Sequence, residues 1–67
     1  MIALRSIDGD RSFQVYDDDK LIGHIQLQTV ITGEKYFASV DKDGEKISSG
    51  EEFNSPNDAL KWIENQR

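Results

Sequence analysis

The segment Ser55-Pro56-Asn57-Asp58 and the apolar stripe behind it constrain this chain most, because they form its one convincing helix. Ser55 suits the N-cap, where its hydroxyl accepts a hydrogen bond from a free amide of the first turn. Pro56 falls at the first helical position, where a missing N–H costs nothing and φ is already set. Asp58, three residues beyond the cap, is placed as the acidic partner of a capping box and lies near the positive end of the helix dipole. Ala59, Leu60, Trp62 and Ile63 then share one stripe, while Lys61, Glu64, Asn65 and Gln66 fall on the wet side or in the fraying end. A helix of about three turns is marginal in water by itself. It must dock on the strands before it, with Trp62 as its largest apolar group.

Those strands are marked by alternation and by turn chemistry. Residues 2–7 read as a first strand at an edge, followed by Asp8-Gly9, a tight-turn dipeptide. Residues 11–16 form a second strand with Phe13 and Val15 on one face, and Asp17-Asp18-Asp19 makes the next turn. Residues 20–28 give the longest alternation: Leu21, Gly23, Ile25 and Leu27 against Ile22, His24, Gln26 and Gln28. Residues 29–32 either extend that strand or bend away, and the change of register predicts a bulge there. Residues 35–41 form a fourth strand, Asp41-Lys42-Asp43-Gly44 a turn, and residues 45–49 a short fifth strand centred on Ile47. Phe53 is expected to plug the end of the core.

Short turns between successive strands require antiparallel neighbours, since parallel pairing needs long crossovers. The expected fold class is therefore α+β: an antiparallel β-meander of four to five strands with one C-terminal helix packed on one face. Sixty-seven residues leave room for one core, so residues 1–67 are read as a single domain. A strand glycine often marks the close approach of another group, and Trp62 is expected to fill the space at Gly23.

Charge narrows the function classes. Thirteen acids against eight bases give a net charge of −5, and the bases are scattered through the chain. Non-specific nucleic-acid affinity comes from clustered Lys and Arg that release phosphate counterions, so nucleic acid is not the expected partner. The chain has no cysteine, which removes disulfides and thiolate chemistry and agrees with a reducing compartment. No apolar run approaches the ~18 residues of a membrane span, and residues 1–3 lead directly into strand-like sequence. The expected location is cytoplasmic, with no membrane.

No constellation carries chemistry. The Asp-rich turns invite calcium, but setting Gly44 at the glycine position of an EF-hand loop puts Ser39 at the first ligand and Gly50 where a bidentate Glu belongs. Turn aspartates bond their own backbone, which is reason enough for their presence. His24, the one histidine, has Ile22 and Gln26 as strand-face neighbours and no nucleophile beside it. Ser48 and Ser49 lack a nucleophile elbow, and the five glycines form no phosphate loop. No catalytic residue, metal site or cofactor is expected, and the chain is read as a non-enzyme.

The informative surface is the sheet face away from the helix. Tyr16, Ile22, His24 and Phe37 fall there if Phe13, Leu21, Ile25 and Val40 face the core. Adjacent Tyr36 and Phe37 cannot both point inward on a regular strand. An uncovered aromatic cluster tends to mark an interface, so the leading expectation is a module that binds a protein partner, or itself as a homodimer, through that face or an edge strand. The alternative is an acidic decoy that occupies the basic groove of a nucleic-acid-binding protein, as small phage and mobile-element proteins do.

Over residues 35–66, strands followed by Phe53, the Ser55 cap and the Ala59 to Trp62 stripe resemble small three-strand-plus-helix DNA readers such as AP2-like and phage-integrase arm-binding domains. The resemblance implies an architecture, and a third function, DNA reading, if the bases gather on one face of the sheet.

Overall fold

The computed structural model describes residues 1–66. Five strands, β1 (Ile2–Ile7), β2 (Ser12–Asp17), β3 (Lys20–Val30), β4 (Gly33–Lys42) and β5 (Glu45–Ser48), precede one helix, α1 (Pro56–Asn65). The strands pair antiparallel in sequence order, β1-β2-β3-β4-β5, and α1 packs over β3 and β4. This is the α+β meander with a C-terminal helix on one face.

The turns explain the order. Asp43 and Gly44 form a two-residue loop between Lys42 and Glu45, and both have positive φ, 53° and 82°. That geometry follows the right-handed twist of the flanking strands, which is why Asp-Gly is favoured in tight hairpins. Every non-glycine residue with positive φ among the described residues is an aspartate: Asp8, Asp10, Asp18 and Asp43. Aspartate tolerates this region because its short side chain satisfies backbone groups locally. The Asp-rich turns thus have a backbone reason to exist.

The helix begins as its residues dictate. The Ser55 side chain accepts from the Asp58 amide at 3.2 Å, and Pro56 follows at the first position. Ala59 and Ile63, one turn apart, are its fully buried residues. They close a core with Val15, Ile22, Ile25, Ala38 and Val40, against which Ile2, Leu4, Phe13, Tyr36, Ile47, Phe53, Leu60 and Trp62 are partly buried.

Three expectations are corrected. The bulge lies in the first half of β3, not in residues 29–32: Val15 pairs with Gly23 and Tyr16 with Leu21, leaving Ile22 as the extra residue. Beyond it the strand runs regularly to Val30, and Ile31-Thr32 form a two-residue turn before Gly33. The extra residue reverses the phase of β3, so that Ile22 turns into the core at 2% exposure and Leu21 stays outside at 36%. Strict alternation had put them the other way round.

The third correction concerns Gly23. A Cβ built there would lie 2.5 Å from the Ser39 carbonyl oxygen and 3.5 Å from Ile63 Cδ1. Ile63, not Trp62, is therefore the helix side chain over this glycine. Trp62 instead packs on Phe53, ring centroids 6.5 Å apart and tilted by 47°. Phe53 is held in place by a two-way backbone bridge to Tyr36, both bonds 2.9 Å.

Candidate binding face

Register fixes which side chains share the sheet face that α1 does not cover. One row crosses all five strands: Arg5 opposite Gln14, Gln14 opposite His24, His24 opposite Ser39, and Ser39 opposite Ser48. A second row runs Ile7, Ser12, Gln26, Phe37. Toward the β2–β3 turn lie Ala3, Tyr16 and Leu21, and toward the β3–β4 turn Gln28 opposite Lys35. Neighbouring strands are about 4.8 Å apart, so the five-strand row extends about 19 Å. Over it the surface sinks into an open depression of about 660 Å³, lined by residues that include Gln14, His24, Gln26, Phe37, Ser39 and Ser48.

Of the residues singled out from sequence, Tyr16, His24 and Phe37 stand on this face, each half-buried. Ile22 does not: the bulge removes it to the core. Leu21 takes its place on the outside. Tyr36 packs toward the core with its ring 6.4 Å from that of Phe13, which leaves its neighbour Phe37 on the open side.

The composition of the face differs from the aromatic cluster expected. It mixes amide, hydroxyl and imidazole groups with Ile7, Leu21 and the separate rings of Tyr16 and Phe37. The Tyr16 hydroxyl donates to Gln14 Oε1 at 3.0 Å, and Lys35 donates to Asn54 Oδ1. Among the described residues the side chains of Arg5, His24, Gln26, Gln28, Ser39 and Ser48 make no hydrogen bond within the chain. Among the described residues no buried side-chain nitrogen or oxygen lacks a partner, so these groups are accessible to water. Their hydrogen-bonding capacity is available to a ligand that displaces it.

Charge is sorted as well. Strand residues on the open face include Arg5, Lys35 and Lys46 against one acid, Asp41, which stands opposite Lys46. Most acids lie elsewhere: in the turns at Asp8, Asp10, Asp18, Asp19 and Asp43, on the loop at Glu51 and Glu52, and on the helix at Asp58 and Glu64. Three of the eight bases, Arg5, Lys35 and Lys46, thus stand on the open face, one each on β1, β4 and β5.

The signal for the polar row was present in each strand's alternation. What was missing was the relative register of the strands, which aligns Arg5, Gln14, Ser39 and Ser48 with His24. Among the described residues, no group of three or more His, Cys, Asp or Glu is placed to hold a metal ion, and no helix is long and apolar enough to cross a membrane. Comparison with protein-family models, curated proteins and solved structures finds no match for this chain.

Proposed function

We propose that this domain is a non-enzymatic binding module that takes a protein partner on the helix-free face of its sheet. The observation that carries this reading is the five-strand row from Arg5 to Ser48, whose polar groups are wetted and largely unengaged. A sheet face needed only for folding is served by any soluble residues; this one aligns donors and acceptors around Phe37 and Tyr16. Aromatic and arginine anchors set among polar groups are the usual make-up of a protein contact surface. The excess of Arg5, Lys35 and Lys46 over Asp41 matches a partner whose contact surface is acidic.

The test is site-specific photo-crosslinking in the native host, with the probe at Ser39 on the open face or at Lys61 on the exposed side of α1. A protein adduct specific to Ser39 and lost in Phe37→Ser supports the reading. Equal adducts at both positions, or one unaffected by Phe37→Ser, refute it.

A second reading, DNA binding, has as its support the three bases against one acid among the strand residues of the open face. A gel shift on random duplex at low salt, abolished by Arg5→Glu, is its expected signature. The acidic-decoy reading has the turn acids as its support, and it requires that binding collapse as salt rises.

A further inference from the structure

The two edges of the sheet are not equivalent. On the β5 side the strand is only four residues long and carries Glu45 and Lys46. Past its end the β4 edge stays occupied: the Ser49 amide donates to the Ala38 carbonyl, and Phe53 exchanges two backbone bonds with Tyr36. Short charged edge strands with covered flanks are the devices that keep sheet edges from pairing. The β1 edge is longer and carries one charge, Arg5. It holds six residues in unbroken register with β2, from Ile2 opposite Asp17 to Ile7 opposite Ser12, without proline, lysine or bulge.

The backbone directions follow from one bond. The Asp18 amide donates to the Met1 carbonyl at 2.9 Å, so Met1, Ala3, Arg5 and Ile7 turn their polar groups toward β2. The N–H and C=O groups of Ile2, Leu4 and Ser6 point away from the sheet. On the helix side the main contacts of α1 are with β3 and β4, and Ile2 and Leu4 of β1 are half-buried at the margin of the core. The edge therefore offers hydrogen bonds and an uncompleted apolar margin together.

We infer that β1 pairs antiparallel with β1 of a second copy of this chain, about a two-fold axis at Leu4, making one continuous sheet. In this register Leu4 lies opposite Leu4 of the second copy, Ile2 opposite Ser6, and Ala3 opposite Arg5. The outward-pointing residues face one another, as a hydrogen-bonded antiparallel pair requires. The two Leu4 side chains meet on the helix side and extend the apolar margin. Arg5 is the one charged side chain of β1, and facing Ala3 it meets no like charge directly opposite. Self-pairing is favoured over a foreign strand because the same edge supplies both halves of the fit, as an isologous interface demands. The contact is small, so the dimer is in concentration-dependent exchange with the monomer.

The inference rests on the sheet edge and survives or falls independently of the reading of the open face. Sedimentation equilibrium over a concentration series tests it. The mass is expected to rise from 7.6 kDa toward twice that value, while amide exchange at Leu4 and Ser6 slows with concentration. Ser6→Pro removes an outward donor without touching the bonds to β2 and is expected to abolish dimerisation. A chemically synthesised chain with an N-methyl group on the Leu4 amide does the same and decides the matter if the proline variant fails to fold. N-methylation of the outward Lys46 amide on β5 leaves the dimer intact. A chain that stays monomeric to millimolar concentration overturns the inference. So does a dimer that survives both β1 changes, a dimer lost on the Lys46 change, or an edge that captures extended peptides but not itself.

Discussion

On one side of the sheet Val15, Ile22, Ile25, Ala38 and Val40 lie sealed beneath Ala59 and Ile63. On the other side of the same strands Gln26 and Ser48 are exposed and Gln14, His24 and Ser39 are half-buried. The covered side is aliphatic and tightly fitted, to the point that one position tolerates no side chain. The open side mixes polar groups with Ile7, Leu21 and two rings, and has few internal bonds. The contrast separates residues chosen for packing from residues whose identity folding does not demand, and the second group is where a binding role is sought.

The comparison breaks if the two sides respond alike to substitution. Ile63→Ala opens a cavity above Gly23 and is expected to cost about 2–5 kcal/mol in urea unfolding, enough to leave a domain this small largely unfolded. Gly23→Ala is next, at about 1–3 kcal/mol or more, because its methyl meets the Ser39 carbonyl, a backbone atom that cannot swing away. Ser55→Ala removes the cap and is expected to cost about 1 kcal/mol, read by the same unfolding curves. On the open face, Gln26→Ala and Ser39→Ala are expected within about 0.5 kcal/mol of the parent. A cost there comparable with Ile63→Ala would mean that the open face serves stability after all.

The smallest effect sits at the β1 end. Hydrogen bonds from the Met1 ammonium to Asp18, and then to Asp17, raise its pKa above the usual 8.0. A group whose folded pKa is raised contributes its full stabilisation below the unfolded value and loses it as pH climbs through the folded one. Protection of the Asp18 amide, which donates to the Met1 carbonyl, is therefore expected to fall as pH rises above 8.0, over and above the ordinary base catalysis of exchange, and an N-acetylated chain is expected to lack that step.

Much of this contrast was legible before any coordinates. Alternation placed Phe13 and Val15 inward and Tyr16 outward, Asp-Gly pairs marked two of the turns, and Ser55-Pro56 marked the helix start. The phase change at Ile22 was not legible, because Leu21 and Ile22 are both aliphatic and hydrophobicity cannot say which one a bulge will bury. The hairpin at Ile31-Thr32 was obscured for a related reason: β-branched residues extend a strand pattern and carry none of the usual turn chemistry before Gly33. Three of the four residues nominated for the open face, Tyr16, His24 and Phe37, stand there because each obeys its own strand's alternation; Ile22 fell to the bulge. The alignment of the polar row depends on how strands slide against one another, which side-chain periodicity within a single strand does not encode.

The sequential order of the strands bears on the time the chain needs to reach this state. Each strand finds its neighbours one tight turn away, so bringing partners together closes only short loops. Sheets usually assemble slowly because distant segments must meet before any pairing rewards them. Here the long-distance step is reduced to seating α1 on β3 and β4, and refolding faster than is usual for sheet proteins of this size is the kinetic signature of that layout.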